Sequence, residues 1–102
     1  MAGWASMGRL NHGRLDIVKI ERAFFVDGRL VRLPAKRSKR LVVLDRLAQE
    51  FVPGLHYLEA QVDERLREFH PDYPALRRAL VDEGFLHRER GVYWRAGGTV
   101  PI

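Results

Sequence analysis

Turn-forming residues cut this chain into short pieces, and that punctuation narrows its fold more than any other feature. Asp27-Gly28, Pro34, Pro53-Gly54, His70-Pro71-Asp72, Gly84 and Gly91 each mark a place where a helix or strand is expected to stop. No apolar run approaches the roughly 20 residues needed to cross a bilayer. The 102 residues fit one domain. With 46% hydrophobic and 30% charged residues the composition is globular rather than disordered. We read a loose tail over 1–12, a single domain over 13–95 and a Gly-rich tail over 96–102.

The pieces between the breaks have readable periods. Leu15 to Val26 is mixed, with Ile17, Ile20 and Phe24 at helical spacing and a shorter alternation from Asp16 to Ile20, and we read it as a short helix. A short strand-like stretch follows at 29–33. Ser38 is read as the N-cap of a first long helix, because its hydroxyl can accept an unpaired backbone N–H. Leu41, Leu44, Leu47, Ala48 and Phe51 then share one helical face. After a short extended link at 55–57, Val62, Leu66 and Phe69 mark a second helix. Asp72 caps a third, whose first turn tolerates Pro74 and whose buried stripe is Leu76, Ala79 and Leu80. Gly84 ends that helix.

A hairpin closes the pattern. A two-residue turn at Arg90-Gly91 would pair Leu86 with Arg95 and expose Trp94. A three-residue loop, Glu89-Arg90-Gly91, pairs Leu86 with Trp94 and Arg88 with Val92. We prefer the second register, because it gathers Leu86, Val92 and Trp94 on one face as core. The resulting order is helix, short strand, helix, turn, helix, hairpin. It describes an α+β, mainly helical chain laid out as a winged helix-turn-helix, with three core helices, a C-terminal wing and an extra N-terminal helix or strand.

Charge then suggests a partner. Lys and Arg number 18 against 13 Asp and Glu, a net +5 with a pI near 10.2, which favours polyanions. Three groups of cations stand out. On the third helix Pro74, Arg78 and Asp82 point away from the buried face and Arg77 lies on the flank. In a winged helix this outer face enters the major groove, where Arg reads guanine through two parallel bonds. Lys36, Arg37, Lys39 and Arg40 crowd the start of the first long helix. Positive charge is unfavourable at that end of the helix dipole, so a compensating anion is expected, and a phosphate backbone would serve. On the wing, Arg88 and Arg90 are placed to reach phosphate or minor groove.

Catalysis finds no foothold. The serines are Ser6 and Ser38, and neither sits in a nucleophile elbow or a Gly-rich phosphate loop. His12, His56, His70 and His87 show no i, i+4 pair and there is no cysteine, so neither a zinc site nor any other cofactor is expected. The lack of cysteine also excludes disulfides and agrees with a reducing cytoplasm. No apolar core follows the first eight residues, so a secretory signal is not expected.

Residues 26–95 resemble a small bacterial family of unknown function. The likeness rests on Gly28-Arg29-Leu30, Leu33-Pro34-Ala35-Lys36, Tyr57 with Glu59 and Val62, Asp72-Tyr73 with Leu76-Arg77-Arg78, Leu80-Val81-Asp82, and Tyr93-Trp94. The chain departs from that pattern at Leu58, Gln61 and Asp63, and Leu58 offers no oxygen to cap the second helix. The resemblance implies a winged-helix fold and a regulatory context, since such domains occur alone or fused behind ArsR-type DNA-binding domains. The expected function is binding of double-stranded DNA by a transcriptional regulator or nucleoid-type factor, with a homodimer plausible on size. The alternatives are a protein-interaction, dimerisation or sensing module, or a module that binds RNA or the ribosome. One continuous positive surface over 36–40, 77–78 and 88–90 would favour DNA.

Overall fold

The computed structural model describes residues 17–99. The expected N-terminal tail, Leu15, Asp16 and the last three residues lie outside that range. The fold is a small α+β arrangement of four helices and two antiparallel sheets. Residues 17–24 are helical (α1). They lead into a hairpin of β1 (Phe25–Val26) and β2 (Arg29–Leu30), where Phe25 pairs with Leu30. Asp27 and Gly28 both take positive φ, 51° and 78°, which suits a two-residue turn. Over residues 17–26 the mixed period is therefore two elements, because the hairpin takes over at Phe25.

Helix α2 (Arg37–Ala48) follows, then β3 (His56–Leu58), α3 (Glu59–Arg67), α4 (Tyr73–Asp82), β4 (Leu86–Glu89) and β5 (Val92–Arg95). The second sheet has the order β3-β5-β4, so the last strand lies between the other two. The core is one cluster. Val43, Leu44 and Leu47 of α2 meet Val62 and Leu66 of α3, Leu80 of α4 and Leu86 of β4, all essentially inaccessible to water. Burying each such side chain stabilises the fold by about 1.5–3 kcal/mol relative to exposure. The small hairpin joins this core through Leu30, whose N–H donates to Phe69 O at 2.9 Å.

The helix ends follow local chemistry with one exception. The Asp72 carboxylate accepts from Ala75 N at 3.4 Å, Pro74 occupies the first turn of α4, and Gly84 (φ 79°) ends it. At α3 the cap residue Leu58 contributes nothing, but Gln61 Oε1 accepts the Leu58 N–H at 2.8 Å. The exception is Ser38. Helix α2 begins two residues earlier, with Lys36 at the cap and no side-chain oxygen on its first N–H groups. Arg40 instead donates to Ala35 O at 2.8 Å and holds the entry turn.

The hairpin register also differs from expectation. Leu86 pairs with Arg95, His87 with Trp94, Arg88 with Tyr93 and Glu89 with Val92. The turn has two residues, because Arg90 (φ 52°) and Gly91 (φ 79°) both adopt the left-handed conformation. Tyr93 and Arg95 therefore face inward and are buried, while Trp94 is only half-buried and is not core. A buried arginine is tolerable here because its donors are used. Arg95 Nε donates to Gly97 O at 3.1 Å, Nη1 to Phe51 O at 3.3 Å, and Nη2 to Thr99 O. Thr99 is in turn held by Asp45 of α2, through its N–H at 2.7 Å and its hydroxyl at 2.8 Å.

Candidate nucleic-acid interface

The hairpin brings Arg88 beside the outer face of α4. Pro74, Arg77, Arg78, Val81 and Asp82 of α4, with Arg88 and Tyr93 of the hairpin, line one cleft of about 290 Å³. Arg78 and Asp82 are exposed, as the helical phase required, and Pro74 is half-buried. Arg88 is exposed on the sheet face that carries Tyr93.

Arg77 plays a different part from its neighbour. It is half-buried, donates to Asp63 of α3, and its Nε lies 3.7 Å from Glu59 Oε1. Glu59 also accepts the Tyr93 hydroxyl at 2.7 Å. These four side chains tie α3, α4 and β5 together behind the cleft. The Tyr93 hydrogen bond, helped by the Arg77 charge, holds the Glu59 carboxyl below the usual range. Burial, then the carboxylate of Glu59, pushes the Tyr93 hydroxyl up. Burial alone would lower the Arg77 guanidinium, but Asp63 and Glu59 more than offset it and its pKa is raised. The Glu59–Asp63 part of the acidic surface on α3 is thereby neutralised from within. Glu64 and Glu68 stay exposed.

The cations at the start of α2 divide in the same way. Arg37 grips Glu83, with Nη2–Oε1 at 2.9 Å and Nε–Oε2 at 3.2 Å, and Arg40 Nη2 lies 3.6 Å from the same carboxylate. The anion that this cationic helix start demanded is therefore present as Glu83, just beyond α4. The hydrogen bond from Arg37 holds the Glu83 carboxyl below its usual range and raises the arginine's own pKa. Lys36 and Lys39 are exposed and have no ion pair among the described residues. Arg90 lies at the hairpin tip, in a hollow on the opposite sheet face with His56, Glu89, Val92 and Trp94. Thus Pro74, Arg77, Arg78 and Arg88 are brought together, whereas Lys36, Arg37, Lys39, Arg40 and Arg90 do not line that cleft, so the three groups expected to form one continuous positive surface do not share it.

Sequence reasoning missed the pairing of Glu59 and Asp63 with Arg77 and Tyr93, and of Glu83 with Arg37 and Arg40. The signal that existed was the excess of acids on α3, facing a helix with two adjacent arginines. These features define a small α+β domain with a basic cleft between its last helix and its hairpin. The model of the family described as uncharacterized protein conserved in bacteria (DUF2087) matches residues 29–95, and the chain belongs to that family. No match was found among curated proteins or among solved structures.

Proposed function

We propose that the protein is a DNA-binding winged helix-turn-helix, acting as a bacterial transcriptional regulator or nucleoid-type factor. The order α2-β3-α3-α4 followed by the β4–β5 hairpin, with β3 completing the sheet, suits that fold. The observation that carries the reading is the cleft in which Arg78 of α4 and Arg88 of the hairpin face solvent together. Arg78 is the base reader and Arg88 the phosphate contact. Lys36 and Lys39 supply further phosphate contacts at the flank. Arg77 supports the reader from behind.

The test is fluorescence anisotropy with random-sequence duplex DNA across a salt series, beside the Arg78→Glu/Arg88→Glu variant. Four free cations imply a log–log salt slope of about −3.6. Micromolar, salt-steep binding that the variant loses is expected. Absence of binding at low salt would move the assignment to a protein-interaction module. That second reading draws on Arg37, Arg40 and Arg77 already being paired with carboxylates.

A further inference from the structure

The β3-β5-β4 sheet turns one face to the core and leaves the other open. Because side chains alternate along a strand, the open face carries two rows across the three strands. One row is His56, Trp94 and His87, and the other is Leu58, Val92 and Glu89, as the pairing registers require. The first row is an aromatic stack. The His56 and Trp94 rings are 5.3 Å apart, and His87 lies 5.8 Å from Trp94 with planes 16° apart. In the second row Leu58 is 60% exposed.

We propose that this face is the contact surface for a second copy of the same chain, packed sheet on sheet about a two-fold axis running across the strands. The two rows make the choice of axis. A two-fold axis across the strands lays each row on the other row of the partner. Trp94 then covers the partner's Val92, Leu58 meets the partner's His56, and Glu89 accepts an N–H from the partner's His87. Each of these contacts occurs twice. An axis along the strands would instead press Glu89 against leucine and imidazole against imidazole, leaving the carboxylate without a donor. The self-complementary His87–Glu89 pair therefore favours a second copy in this orientation, with Arg90 standing beside Glu89 at the hairpin tip. Single-stranded nucleic acid is a poorer occupant, since His56 and His87 stand beside the Trp94 ring and Glu89 offsets the charge of Arg90 at the hairpin tip.

The footprint is small. Three strands at about 4.8 Å spacing and four residues at about 3.3 Å rise give about 14 by 13 Å. About 180 Å² of projected face per copy is well below a standard specific interface, so the dimer is weak and transient. The α4 cleft lies on the other face, with Arg88 and Tyr93, and stays open in the dimer.

Sedimentation equilibrium of the full chain without DNA, over a wide concentration range, tests this. The average mass is expected to climb from 11.8 kDa towards twice that value. Leu58→Asp is the first variant. It puts a charge into the contact while giving α3 the capping oxygen it lacks, so its melting temperature should not fall and a folding defect cannot explain the result. It is expected to stay monomeric. His87→Glu and Glu89→Lys singly should each weaken association roughly tenfold. Together they should restore it, because the charges are exchanged. A constant monomer mass, or a dimer indifferent to Leu58→Asp and to the exchange, overturns the proposal. Quenching of Trp94 fluorescence by a single-stranded oligonucleotide in a Trp4→Phe background, with the protein monomeric throughout, also overturns it.

Discussion

At the scale of single residues, the two adjacent arginines of α4 separate cleanly by neighbourhood. Arg77 spends its donors on Asp63 and Glu59, whereas Arg78 faces water. Removing Arg77 strands two carboxylates, so Arg77→Ala should destabilise by about 1–2 kcal/mol in urea unfolding. Arg78→Ala should change stability by no more than about 0.5 kcal/mol, and under the proposed function its effect should appear in DNA affinity. Acid sensitivity belongs to the same scale. Glu59 and Glu83 both have folded pKa values lowered by hydrogen bonds, from Tyr93 and Arg37 respectively. A lowered carboxylate pKa adds stability that is fully present above the ordinary carboxylate range. It is lost as pH falls through the lowered values. Thermal melts from neutral to acid pH should therefore show a falling melting temperature, and Glu59→Gln/Glu83→Gln should flatten that fall. An equally steep fall in the double variant would place the acid lability elsewhere.

At the scale of elements, the hairpin and the chain that follows it depend on backbone geometry. A Cβ on Gly97 would lie 2.8 Å from the Gly84 carbonyl oxygen, a contact that only backbone movement can relieve. Gly97→Ala should thus lower the melting temperature even though Gly97 lies beyond the last strand. Gly84 carries φ 79° at the end of α4 with open space around it, so Gly84→Ala should cost about 1 kcal/mol through strain alone. Chemical denaturation of the two variants separates the cases. A Gly97→Ala protein as stable as the parent would mean that residues 96–99 yield freely.

At the scale of the whole molecule, Arg95 joins distant parts of the chain. It lies under the sheet and donates to carbonyls of Phe51, Gly97 and Thr99, while Asp45 of α2 holds Thr99. Arg95→Met keeps much of the volume but leaves the buried Phe51 carbonyl without this donor. A loss of about 1–3 kcal/mol is expected, read by equilibrium unfolding. Among the described residues no helix is long and apolar enough to cross a membrane.

Much of the element order was legible in sequence, because turn residues act locally. Asp27-Gly28, Asp72 with Pro74, and Gly84 impose their conformations through their own backbone and nearest hydrogen bonds. The apolar stripes of α2, α3 and α4 follow from helical period alone, and so does the exposure of Arg78. What only the tertiary structure decided involves partners far apart in the chain. The hairpin register turned on burying Arg95, which is acceptable because its donors reach the remote carbonyl of Phe51 and the nearby carbonyls of Gly97 and Thr99, the last held by distant Asp45. Ser38 lost its capping role because α2 begins at Arg37, with Arg40 bonding back to Ala35. Glu83 answers the cations of α2 from 46 residues away, and Asp63 answers Arg77 from 14 residues away. Ionic and hydrogen-bond satisfaction depends on distance in space, which a linear pattern does not contain, whereas turn and helix propensity depend on neighbours, which it does.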